Sequence, residues 1–211
     1  MIVHGSTLSP FVRKVMVFAA EKGLSAENKV SPPGPKTPEF LAMSPFGKIP
    51  AFEDGDYQLC DSSAIVHYLD AQYPDHRLIP AEPRARGRAV WFDEYADTII
   101  FAAAAPIFFN RVVAGLMGLP GDHAAADKAE AEALPPVLDY LESVIPASWF
   151  LVEDRLTLAD IAVASLFINL KHARVTIDQA RYPKIVAYAA AMMARPSLAG
   201  LLNKETAFLN R

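Results

Sequence analysis

The sequence predicts an α/β unit followed by an all-α unit. Up to about residue 75, short strand-like segments alternate with amphipathic helices. A Pro-rich polar stretch then interrupts the pattern, and from Arg84 onward only helical spacing recurs. The expected boundaries are 1–75 for the first unit, 76–84 for the linker and 85–211 for the helical unit.

Composition narrows the function classes. A chain of 211 residues with 52% hydrophobic and 21% charged content can bury a real core. A formal net charge of −4 argues against a general nucleic-acid binder, which needs a basic surface. The single cysteine, Cys60, excludes an internal disulfide and a Cys-based zinc site, and suits a reducing cytoplasm. The five histidines show no paired metal spacing, so no metal is expected. The N-terminus has no basic region followed by an apolar run, so no signal peptide is expected. No apolar run is long and unbroken enough to span a bilayer; the 99–109 run is short and contains Pro106.

The elements follow in order. Ile2-Val3-His4 is a strand. Ser9 and Pro10 open a helix as N-cap and first helical residue, and Val12, Val15, Met16 and Ala19 give it an apolar face ending at Lys22-Gly23. A second strand is expected over 27–30, an irregular loop over 31–35, and one helical turn over 38–42. Ala51-Phe52-Glu53 and Gln58-Leu59-Cys60 are strands joined at Asp54-Gly55, a hairpin signal because Gly takes positive φ freely. Asp61-Ser62-Ser63 caps a helix with Ile65, Val66 and Leu69 on its inner face.

In the second unit a long helix is expected to run to about Ala114, with Trp91, Tyr95 and Ile99 on one face and a kink at Pro106. Residues 115–121 break it. A helix over 123–144 carries Pro135-Pro136, which predicts a kink or a restart. Thr157 and Asp160 form a capping box before a buried helix with Ile161, Ala164, Ser165 and Ile168 inward. That motif reads as a folding signal. Pro183 opens a further helix to Ala194, and Arg195-Pro196-Ser197 starts a short last one.

Two features of residues 47–69 exceed what a hairpin needs. Pro50 stands at a strand start, where it has no N–H to give, and Ile49-Pro50 is a candidate for a cis bond. A cis bond there turns the Ile49 backbone groups outward, toward an extended ligand. Asp61 and Ser62 place a carboxylate, a hydroxyl and free N–H groups at one helix N-terminus, where a carboxylate ligand is attracted and an amine can meet Asp61.

Ser44-Pro45-Phe46-Gly47-Lys48-Ile49-Pro50, followed by Asp61-Ser62-Ser63-Ala64-Ile65, resembles the glutathione site of the cytosolic glutathione transferase family. Ser9-Pro10-Phe11-Val12-Arg13 is similar to its Ser-based, theta- or phi-like classes, in which such a serine donates a hydrogen bond to the glutathione sulfur. The resemblance implies a thioredoxin-like first domain, an all-helical second domain contributing the electrophile site, glutathione as cosubstrate and a homodimer. It implies Ser9 as catalytic residue. It also implies Lys36 and Lys48 toward the tripeptide, Ile49 and Pro50 at its cysteinyl part, Asp61 and Ser62 at its γ-glutamyl end, and Asp97 reaching that amine across the dimer interface. On local sequence alone Ser9 is an ordinary N-cap, with Ser6 and Thr7 as nearby hydroxyls. The implied activity is addition of the glutathione thiolate to an apolar electrophile, without nucleic acid or membrane partners. A regulatory binding protein of the same fold is the alternative, as is a glutathione-dependent lyase, dehalogenase or peroxidase. Cys60 lies in a strand, away from the first helix, which puts disulfide-exchange chemistry in doubt.

Overall fold

The computed structural model describes residues 1–31 and 34–210; Pro32 and Pro33 of the expected 31–35 loop, and Arg211, lie outside them. The strands are β1 (Ile2–His4), β2 (Glu27–Lys29), β3 (Ala51–Asp54) and β4 (Tyr57–Cys60), in the order β2-β1-β3-β4. β1 pairs parallel with β2, and the other two pairings are antiparallel. The sheet helices are α1 (Pro10–Glu21), α2 (Pro38–Met43) and α3 (Ser62–Gln72). The helical part comprises α4 (Pro83–Leu116), α5 (residues 123–144), α6 (Leu158–His172), α7 (Pro183–Met193) and α8 (Pro196–Leu209). The last helix is therefore long, not the short one expected.

Local chemistry accounts for most boundaries. Gly23 takes φ +73 just past α1, and the Leu24 and Gly23 N–H groups return to the Ala19 and Ala20 carbonyls. The hairpin turn falls at Gly55 and Asp56, one residue later than expected. Asp54 still pairs with Tyr57, and Gly55 takes φ +62 at the first turn position. Gly5 answers to crowding instead: a Cβ there would meet Val12 Cγ2 at 2.6 Å and Ile49 Cβ at 3.0 Å. The end of β1 thus lies tight against both α1 and the residue before Pro50.

α4 continues through Pro106, with π-type stretches at Tyr95–Ile100 and Phe109–Val113 on either side. The inner face of α4 differs from the expected one. Tyr95 is buried, but Trp91 and Ile99 are 42% and 41% exposed; Ala89, Phe92, Ala96, Ile100, Ala103 and Ile107 face the core instead. By length and composition alone α4 is long and apolar enough to cross a membrane, which the 99–109 run had not suggested. In the fold its inner face packs in the hydrophobic core with α6, and it carries buried Asp93. In α5 the strain of Pro135-Pro136 is relieved by a π-type stretch at Ala129–Ala133, after which both prolines occupy the first turn of the helix over Leu134–Val144.

α6 is buried on nearly every side from Leu158 to Leu170. Its capping carboxylate, Asp160, accepts the N–H groups of Thr157 and Leu151 at 2.9 Å each. Burial pushes the Asp160 carboxyl up to about 6 against those bonds. The motif organises the loop before α6 and touches no cavity residue, as a folding signal should.

Candidate functional site

A cavity of about 620 Å³ opens between the sheet part and the helical part. Ser6, Leu8, Ser9, Lys36, Lys48 and Ile49 line one side. Phe101, Phe108 and Phe109 from α4, with Phe208 from α8, make the apolar wall opposite. The Phe11 and Phe101 rings meet at 4.9 Å across the join. Phe11 lines the cavity beside them, while Ile107 of α4 is fully buried in the core.

Ser9 is the N-cap of α1, yet its hydroxyl makes no capping hydrogen bond. Its backbone is fixed on both sides: its N–H donates to the Ser6 carbonyl and its carbonyl accepts from the Arg13 N–H, both at 3.0 Å. The side chain faces the cavity from the positive end of a 12-residue helix. Ser6, the alternative hydroxyl, also lines the cavity but already accepts the Leu8 N–H at 3.3 Å. Lys36 donates to Ser31 Oγ at 2.9 Å and lies 5.2 Å from the Phe40 ring centroid; Lys48 is exposed at the cavity rim.

The Ile49–Pro50 bond is cis. Pairing of Ala51 with Cys60 puts Pro50 and Asp61 at the same end of the β3–β4 hairpin. Neither Pro50, Asp61 nor Ser62 lines the cavity itself; they stand beside Ile49 at that end of the hairpin. Asp61 caps α3 through Ala64 N–H at 2.9 Å, and does so at φ +79, in a region L-residues rarely adopt. Ser62 is buried behind it.

Beneath Asp61 and Ser62 lies a cluster that pattern reading missed. Lys14, buried on α1, donates to Asp93 at 2.7 Å, Asp97 at 2.6 Å and Ser63 at 3.1 Å. Asp97 also accepts from Ser62 at 3.4 Å. Within its own chain Asp97 is tied to Lys14 and Ser62. Burial pushes its carboxyl up, against the pull of Lys14. The signal in the sequence was a pair of cations, Arg13 and Lys14, inside an otherwise apolar helix, which demands buried partners. Among the described residues no group of three His, Cys, Asp or Glu side chains is arranged to hold a metal ion.

The chain is similar to many known proteins. Residues 3–77 match the model of the glutathione S-transferase N-terminal domain, and residues 108–205 that of its C-terminal domain. A glutathione S-transferase from Hyoscyamus muticus is 33% identical over 204 residues, covering 93% of this chain and 95% of that protein. Glutathione S-transferase 3 from Zea mays is 35% identical over 202 residues, covering 92% of this chain and 90% of that protein. The solved glutathione S-transferase I from maize, in complex with an atrazine–glutathione conjugate, superposes with a TM-score of 0.82 at 26% identity, covering 96% of each chain.

Proposed function

The chain belongs to the glutathione S-transferase family, and from that premise we propose that it joins the glutathione thiolate to an apolar electrophile, with Ser9 stabilising the thiolate. The observation that carries this is the Ser9 hydroxyl. It has no capping bond and faces an apolar cavity from a helix N-terminus. A thiol of pKa ~8.5 is mostly protonated near neutral pH, and the thiolate is the nucleophile. A fixed O–H donor and the helix dipole both favour the anion. The attack forms a carbon–sulfur bond. With a halide, the carbon–halogen pair leaves with the halogen; with an activated alkene, electrons pass to the neighbouring carbon, which takes a proton from water. Ser9 keeps its own proton throughout.

In this reading Lys36 and Lys48 meet the glycine carboxylate, the Ile49 backbone beside Pro50 pairs with the cysteinyl part, and Asp61 with Ser62 holds the γ-glutamyl end. Asp97, next to Ser62, adds negative charge where the amine sits. Residues 1–75 form the glutathione-binding domain, 76–84 the linker, and 85–211 the domain that supplies the electrophile wall. A cytoplasmic location, where glutathione is kept reduced, goes with this role. The test is retention on immobilised glutathione. The wild-type chain is retained, and Asp61→Ala and Ser62→Ala each weaken binding about tenfold, since each leaves a charged ligand group without its partner. Retention unchanged in both variants overturns the assignment of this end, and no retention of the wild-type chain favours a regulatory role.

The homodimer belongs to the same proposal. Phe46, between α2 and β3, is 88% exposed, and Trp91 and Ile99 on the outer face of α4 are exposed as well. Burying one Phe side chain contributes about 2–3 kcal/mol. Phe46 of one subunit packing on the outer α4 face of the other meets that need. Phe46→Ser is expected to shift the sedimentation coefficient from dimer to monomer with the circular dichroism spectrum unchanged. A dimer of undiminished affinity removes Phe46 from the interface.

A further inference from the structure

Resting on the role of Ser9 above, we infer that Asn169 is a positioning residue for Ser9, clamping the Leu8–Ser9 peptide through a hydrogen bond that a buried arginine orients. Asn169 lies on α6, is buried at the cavity wall, and donates from Nδ2 to the Leu8 carbonyl at 3.0 Å. That carbonyl belongs to the peptide bond leading into Ser9. The amide's other end accepts from Arg13 Nη1 at 2.6 Å. Arginine offers only donors, so the amide oxygen must face Arg13 and the NH₂ must face Leu8. The orientation that serves the loop is thus dictated from behind.

Arg13 is itself held firmly. Nη1 also donates to the Ser165 carbonyl at 2.6 Å, and Nε and Nη2 grip the Glu205 carboxylate at 3.1 and 2.8 Å. His172 meets Glu205 at 2.9 Å. Burial works to raise the Glu205 carboxyl, but His172 and Arg13 outweigh it and hold it below the usual range. A chain of buried polar contacts therefore runs from α8 through α1 and α6 to the loop that carries the hydroxyl. Ser9 makes no capping bond of its own, so its direction depends on how its backbone is held. A misplacement of about 1 Å in a reacting group can lower a rate by about a hundredfold.

Asn169→Asp separates this role from packing. The carboxylate still pairs with Arg13 but turns an acceptor toward the Leu8 carbonyl, repelling the peptide that Asn169 holds. The readout is the ultraviolet absorbance of bound glutathione thiolate against pH, measured in wild type, Asn169→Asp, Ser9→Ala and the double variant. The thiol pKa is expected to rise in Asn169→Asp, with a tenfold or greater loss of kcat near neutral pH, by about the effect of a small misplacement, and little change in KM for glutathione. In the Ser9→Ala background the same substitution adds nothing, because no hydroxyl remains to be placed. If Ser9→Ala shifts the thiol pKa and Asn169→Asp does not, or if the two effects add, the positioning role is overturned while Ser9 stands. If Ser9→Ala leaves the pKa unmoved, the role of Ser9 fails and this one with it. Should Asn169→Asp not fold, Asn169→Ser, which is too short to reach Leu8 and adds no charge, carries the same comparison.

Discussion

Ser9→Ala is expected to raise the pKa of bound glutathione by about two units, equivalent to about 2.7 kcal/mol. Near pH 7 the thiolate fraction, and with it kcat/KM toward a generic aryl halide, falls by about 25-fold, approaching a hundredfold only at pH below the wild-type thiol pKa. KM for glutathione is expected to change little, because in the proposed role the hydroxyl meets only the sulfur. The deficit shrinks as pH rises: wild type is already saturated with thiolate above its lowered pKa, while the variant keeps gaining thiolate up to ~8.5. Stability provides the internal control. A serine that caps a helix through its hydroxyl costs about 1 kcal/mol when replaced by alanine. Ser9 makes no such bond, so the thermal midpoint should stay close to that of wild type. A marked loss of stability with an unchanged thiol pKa would mean that Ser9 is a cap and nothing more.

Lys14→Met is expected to have the largest effect on stability. Lys14 and Asp93 are almost wholly buried, and Asp97 is largely so. Removing the cation leaves two carboxylates facing each other in a site of low polarity, which costs about 3–5 kcal/mol. The loss depends on pH. Burial already holds the Asp97 carboxyl above its ordinary value in wild type, and without Lys14 it rises further. For a carboxyl whose folded pKa exceeds its unfolded one, the folded state takes up a proton that the unfolded state does not, so stability falls as pH rises through that interval. The variant should therefore lie closer to wild type in denaturant melts at pH 5 than at pH 8. A pH-independent deficit would show that the damage comes from lost packing and not from the bared carboxylates.

Local signals in the sequence reached a long way into this molecule. Ser9-Pro10 at a helix start, glycine at the β3–β4 turn, the proline pair in α5 and the Thr157–Asp160 box are each decided by a few neighbouring atoms, and each is found within a residue or so of its expected place. The outer face of α4 was misjudged for a physical reason. A stripe at 91, 95 and 99 assumes uniform winding; the π-type stretch over Tyr95–Ile100 rotates Ile99 away from the face of Tyr95, while Trp91 lies before it at the stripe's edge and stacks on Tyr95. Partners were the other blind spot. Periodicity says that Lys14 faces inward but not that Asp93, 79 residues on, awaits it, nor that Arg13 meets Glu205 at a separation of 192. Lys48 and Ile49 share one short motif, but Ser9 and Lys36 reach the same cavity from separate segments, which the chain's fold and not local pattern brings together.

Arg13 and Lys14 are consecutive, yet they point to opposite sides of α1. Arg13 reaches α6 and α8, and Lys14 reaches α4. Every carboxylate that neutralises them lies beyond residue 84 in sequence. A chain severed within 76–84 would therefore strand two cations in the middle of the sheet part's main helix with no anion to meet them. The sheet part severed in this way is expected to be strongly destabilised, since a buried charge stripped of its partner costs about 3–5 kcal/mol. Melting of the helical part is therefore expected to draw the sheet part with it, because the partners of Arg13 and Lys14 leave at the same moment.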